Sequence, residues 1–227
     1  FWLKTFLGSN TIAGAARCGP LMHIMAAAAA SPAEAPAVDK SVFGRVADFA
    51  EQAVAYEDIA SGPFLEACAA YREGLCSMGP AAQVAVSDFD GNFTVVQAFF
   101  QKDSGNRATW KALCLDSGAP RVQLKWLLWG LEFFMTYLLK LWEGDWSGAS
   151  TAYGLTLTNH HTFMQRLGFK ALLVTLPGRD SIRNQRKLCP DHSGKEPLDK
   201  VVDRDVSRMV QGFLPAVCTA LKILESI

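Results

Sequence analysis

The chain has 227 residues, half of them hydrophobic, with 22 basic and 22 acidic side chains. That is enough apolar material for one large core or two small ones, and the balanced charge excludes a global field recruiting nucleic acid or an anionic membrane. Six scattered cysteines without a Cys-x-x-Cys pair exclude a zinc ribbon or a small disulfide scaffold, and point to free thiols in a reducing compartment such as the cytoplasm.

Residues 1–40 stand apart: they hold no acid before Glu34, and the run Leu21 to Ala30 leads into Ser31-Pro-Ala-Glu-Ala-Pro. Their composition suits a targeting segment or tail ahead of a linker. The expected organisation is an N-terminal extension over 1–40 and one domain over 41–227. From Ser41 the spacing turns helical, with Phe43, Val46, Phe49, Ala50 and Ala53 at steps of three and four. Ser61-Gly-Pro63 reads as a helix start, Ser61 capping and Pro63 in the first turn, and that helix ends near Gly79-Pro80. A helix over Ala81–Lys102 and a short one over Ala108–Leu115 follow, then a turn at Asp116–Pro120.

The stretch Arg121–Trp142 is the one the rest is organised around, with no Pro and only Gly130 as a glycine between Val122 and Leu141. From Val122 to Leu141 it makes a helix of roughly 30 Å, about the thickness of a bilayer core. Glu132 at mid-span would cost about 2.5–3.5 kcal/mol in a membrane. Lys125, Glu132 and Lys140 instead form one polar stripe, as on a core helix with one edge in water. Trp126 and Gly130 lie one turn apart, so a flat ring sits above a position with no side chain, where a ligand could approach closely. After a turn at Glu143–Gly148, Thr151–Leu176 reads as one apolar-periodic segment stopping at Pro177-Gly178. Residues 179–198 read as a loop or mobile hairpin, and Asp199–Leu224 as a last helix with a kink at Pro215. The fold expected is all-α, about eight helices.

Chemistry-bearing residues are few. Asp88 and Asn92 are four apart and share a helix face with Val95, an acceptor above a carboxamide suited to hydroxyls or an amide N–H; a solvated edge is the plain alternative. His160 and His161 are adjacent, so on a helix they diverge by about 100° and at most one looks inward. A different reading takes Val84-Ala-Val-Ser-Asp88-Phe-Asp90-Gly as a strand ending in Asp-x-Asp-Gly, the opening of haloacid dehalogenase-like, magnesium-dependent phosphatases with Asp88 and Asp90 in the site. A third takes the chain as a helical interaction module whose apolar slot is merely core.

Several separated stretches, in order from Val42 to Ile227, together resemble the glycolipid transfer protein family. They are Gly62-Pro-Phe-Leu-Glu-Ala67, Asp88-Phe-Asp-Gly-Asn92, Trp126-Leu127-x-x-Gly130-Leu131, Ala152-Tyr153, and His161-x-Phe163, with Pro177 where the last of these helices ends. The resemblance implies a two-layer all-α sandwich enclosing a lipid pocket. It implies a non-enzymatic, cofactor-free monomer that carries or senses a glycosphingolipid through transient membrane contact. It implies that Asp88 and Asn92 hydrogen-bond the head group, that Trp126 stacks on the first sugar, and that His161 donates to the ceramide carbonyl. Gly130 and Phe133 would line the pocket and Phe163 would touch the membrane at its rim. The family usually carries cations where this chain has Val95 and Trp129. Their loss argues against a phosphate head group and for an uncharged one such as a monohexosylceramide, because a buried phosphate needs paired charge.

Overall fold

The structure, a computed structural model, describes residues 39–55, 58–79 and 82–227. The expected N-terminal extension therefore lies, but for its last two residues, outside the described residues. Nine α-helices are found among those described: α1 (Val42–Ala53), α2 (Ser61–Ser77), α3 (Gln83–Lys102), α4 (Trp110–Leu115), α5 (Arg121–Trp142), α6 (Gly148–Leu155), α7 (Phe163–Leu173), α8 (Arg179–Arg183) and α9 (Leu198–Glu225). The strand content is a two-residue antiparallel pair, β1 (Val54–Ala55) with β2 (Asp58–Ile59), plus a single bridge between Ala60 and Thr109.

The fold is a two-layer sandwich. Helices α1, α2 and α3 lie side by side and face α9, α5 and α6, and the layers join where α1 meets α9 and α3 meets α5. Aromatic side chains bridge the layers: Phe64 of α2 against Phe213 of α9, and Tyr71 of α2 against Phe134 of α5. The packing between α1 and its neighbours is tight enough to demand glycine. A Cβ on Gly44 would lie 2.6 Å from Asp205 Oδ2, and one on Gly74 would lie 2.8 Å from the Phe43 ring. Asp205 is almost fully buried and accepts from the Ser41 backbone N–H at 2.7 Å, the Ser41 hydroxyl at 3.0 Å and Arg204 Nε at 2.9 Å. Ser41 in turn caps α1 by accepting from Gly44 N–H. Helix α9 thus secures the cap of α1.

Helix α5 runs over the span its pattern predicts, and Leu124, Leu127, Leu128, Leu131, Phe133, Leu138 and Leu141 are buried. Gly144, at φ 89°, ends it, where Gly144 and Asp145 N–H groups donate back to Leu141 and Lys140 carbonyls. No helix among the described residues is long and apolar enough to cross a membrane. The predicted polar stripe is only partly wet. Lys125 is exposed, whereas Glu132 is largely covered, and burial with the nearby Glu225 pushes its pKa up to about 7.

Four local expectations change. Ser61 does not cap α2: it is its first helical residue, buried, and Ala60 takes the capping position. Residues 84–86 lie inside α3, so no strand leads to Asp88, and the phosphatase reading fails on the absence of its platform. Thr151–Leu176 is not one element. It breaks at Thr156, passes through a 3-10 turn over Leu157–Asn159 and restarts at Thr162, whose hydroxyl and Gln165 form a reciprocal capping box. Residues 179–198 hold α8 and a second 3-10 turn, fastened by Arg183 to Asp199 at 3.1 Å and Asp203 at 2.9 Å. Helix α9 holds close to its expected span, with Pro215 inside it.

Candidate functional site

An apolar cleft opens between the layers. Its walls are Val84, Ala85, Asp88 and Phe89 of α3, Trp126, Leu127, Gly130, Phe133 and Phe134 of α5, Leu157 of the 3-10 turn, and Phe169 and Leu172 of α7. Each helix reaches the cleft by its own periodicity: Asp88 follows Ala85 by three residues and Val84 by four, and Trp126, Gly130 and Phe133 are successive turns of α5. Apart from its own helix backbone, nothing stands within 4 Å of where a Gly130 Cβ would be, so the α5 wall is open at that position. The cleft as it stands holds only about 50 Å³ of room.

Four of the expected residues, Asp88, Trp126, Gly130 and Phe133, line this cleft; His161, Asn92, Trp129, Val95 and Phe163 do not. His161 nonetheless sits at its edge. It is buried, its ring is 5.9 Å from Trp126 and 5.1 Å from Phe169, and its Nδ1 is 3.0 Å from the Tyr153 hydroxyl. Burial, with His160 and Arg166 adding repulsion, pushes its pKa down to about 4, so the ring is neutral at pH 7. Asn92 is buried one turn from Asp88. Its amide donates to the Asp88 carbonyl at 3.0 Å, while its Oδ1 has no hydrogen-bond partner. Asp90 points elsewhere, into a two-pronged ion pair with Arg72 of α2.

Trp129 stacks on His160, with ring centroids 3.7 Å apart and planes 12° from parallel, and meets Trp126 edge-on at 5.2 Å. The His160 pKa is lowered, first by burial and then by Lys125. Val95 is 42% exposed and Phe163 is 72% exposed. The cleft wall thus carries one acid and one indole, with a buried carboxamide one turn behind the acid and a second indole and two imidazoles packed beside the first, chemistry that suits hydroxyls and the C–H face of a ring.

Sequence reading missed Phe169 and the role of Tyr153. Phe169 stacks on Tyr153 at 4.8 Å and meets Phe133 edge-on at 5.3 Å, so it is part of the cleft wall contributed by α7. Its only signal is its spacing from the buried Gln165 and Leu173 on α7.

Residues 59–187 match the sequence profile described as Glycolipid transfer protein (GLTP). Among solved structures, the GLTP-fold of FAPP2, described as selecting simple glycosphingolipids, is 24% identical with a TM-score of 0.65, covering 82% of this chain and 93% of that one. The mouse ceramide-1-phosphate transfer protein in its apo form is 13% identical with a TM-score of 0.63, covering 81% and 94%. The fungal glycolipid transfer protein HET-C2 is 21% identical with a TM-score of 0.60, covering 82% and 92%. At these identities the structural likeness speaks to fold. No curated protein sequence matches the chain.

Proposed function

The chain belongs to the glycolipid transfer protein family, and from that premise we propose that residues 41–227 carry a neutral glycosphingolipid, a monohexosylceramide by preference, between membranes without chemical change. The observation that carries the reading is the meeting of Asp88, Trp126 and, at the edge, His161 over one apolar cleft. In this reading the sugar lies on Trp126 and its hydroxyls bond Asp88 and the unpaired Asn92 Oδ1. The Tyr153 hydroxyl holds His161 Nδ1, so Nε2 bears the proton and donates to the ceramide carbonyl. The chains enter between α3, α5 and α7, and Phe163 meets the bilayer surface.

An uncharged head group is favoured for a physical reason. Position 95 is Val, Trp129 is committed to His160, Arg72 is held by Asp90, and both imidazoles resist protonation. A phosphate here would face the Asp88 carboxylate, with Lys125 exposed beside the indole and Arg166 turned toward the recess between α6 and α7 rather than lining the cleft.

The test is transfer of fluorescent glucosylceramide between vesicles, run beside ceramide-1-phosphate. Trp126→Ala is expected to cut glucosylceramide transfer at least tenfold with helicity intact, and the wild type to favour the glycolipid over the phosphate. Equal transfer by the mutant removes Trp126 from the site. Mass spectrometry of co-purifying lipids checks the class independently; no lipid and no transfer would leave a helical interaction module.

A further inference from the structure

Outside the cleft, a second and larger recess of about 560 Å³ lies between α6 and α7, lined by Ser150, Tyr153, Gly154, Thr158, Arg166, Lys170 and Leu173. It has two cations and no acid. Neither Arg166 nor Lys170 belongs to an ion pair among the described residues. Arg166 is nonetheless positioned, because its Nε donates to the His161 carbonyl at 3.1 Å, which leaves its two terminal nitrogens for another acceptor. Open space over Gly154, with no atom within 4 Å of a Cβ there, leaves the backbone bare on one wall.

The same helix has an unusual distribution of side chains. Gln165 and Leu173 face inward, with Phe169 half-buried between them. Phe163, Leu167 and the capping Val174 face outward at 72%, 52% and 84% exposure, with Met164 beside them. At about 100° per residue, Arg166 and Lys170 fall between these two faces. A helix laid with its apolar stripe in the acyl boundary of a bilayer would hold both cations at head-group depth, with the recess open to that layer.

We propose that this recess receives the phosphate head group of an anionic phospholipid in the membrane on which the protein docks, so that surface charge as well as the glycolipid sets where it dwells. Charge complementarity commits the recess to an anion, and the adjoining apolar stripe commits that anion to a bilayer. The inference shares with the proposed function the premise that α7 meets a membrane, and its test uses no glycolipid.

The experiment is sedimentation of the full chain with phosphatidylcholine vesicles, and with vesicles in which about one lipid in five is phosphatidylglycerol. A juxtamembrane cation strengthens binding to such a surface by about fivefold. The wild type is expected to prefer the anionic vesicles, Lys170→Glu to lose that preference by about fivefold or more, and Lys170→Arg to keep it, with binding to neutral vesicles equal in all three. Lys102→Glu, which changes an exposed cation at the far end of α3, is expected to keep most of the preference. Wild type without a preference, or equal loss in Lys102→Glu, overturns the recess as a site and leaves glycolipid transfer untouched. Failure to sediment with either vesicle overturns the shared premise.

Discussion

His160 and His161 are neighbours in the chain and meet different rings: His160 lies flat on Trp129, and His161 sits at the edge of Trp126 under the Tyr153 hydroxyl. Helix geometry says only that at most one of them looks inward, and the family resemblance picks His161; in the fold both occupy a turn between a 3-10 segment and α7. The inward position of His161 rests on contacts with residues of α5, which no local pattern reports. Asp88 and Trp126 were legible because each lies on a long periodic helix; the Trp129–His160 stack was not, for the same lack of a local signal. If the proposed roles hold, His161→Leu lowers glucosylceramide transfer at least tenfold, and His160→Leu by much less; the reverse order moves the site to the other ring. The pH dependence carries a sign. Because the folded pKa of His161 is depressed to about 4, its contribution to stability is full above the ordinary value of 6.5 and is lost as pH falls toward 4. An NMR titration is expected to find its imidazole neutral at pH 5.5.

At the scale of elements, the clearest lesson is the break between α6 and α7. Apolar periodicity runs through it, which is why Thr151–Leu176 reads as one segment. The signal that overrides periodicity is Thr162-x-x-Gln165, where Gln165 Oε1 accepts from Thr162 N–H at 2.7 Å and the Thr162 hydroxyl accepts from Gln165 N–H at 3.4 Å. Thr162→Ala is expected to cost about 1 kcal/mol in denaturant unfolding, the usual worth of such a cap. Helix α7 has little holding it inward, and a cleft of about 50 Å³ is far smaller than the roughly 300–1,000 Å³ of a ligand pocket. On the proposed function, Phe169, the half-buried aromatic that α7 lends to the wall, is the side chain expected to move as a lipid enters. Phe169→Ala is expected to lower the melting temperature of the lipid-free protein and to narrow the gain in stability on adding lipid. Unchanged lipid stabilisation would mean that the chains enter elsewhere.

Over the whole molecule, the bounds of α5 and the all-helical class were readable because a twenty-residue apolar run with one polar stripe admits few alternatives. The tie of residues 179–198 to α9 was not, since Arg183 finds Asp199 and Asp203 only after the chain has turned. Nor was the burial of Glu132, with Glu225 at the end of α9 close enough to repel it. Its raised pKa makes a global prediction. A carboxyl whose folded pKa is about 7 adds stability below its unfolded value near 4.5, and that contribution disappears as pH climbs through 7. Glu132→Gln is expected to flatten stability across this window and to gain about 1 kcal/mol at pH 8, after allowance for partial solvent access. Finally, the Asp205 carboxylate and the Ser41 cap clasp α1 and α9 so closely that a methyl on Gly44 would not fit. That seam is stitched by charge and hydrogen bonds, whereas the seam by α7 is closed by the Phe169 ring against Phe133, Tyr153 and His161. A jacket fastened along one side is unbuttoned along the other, so on the proposed function the room for a fatty chain would come from the α7 border, beside the surface proposed to meet the membrane.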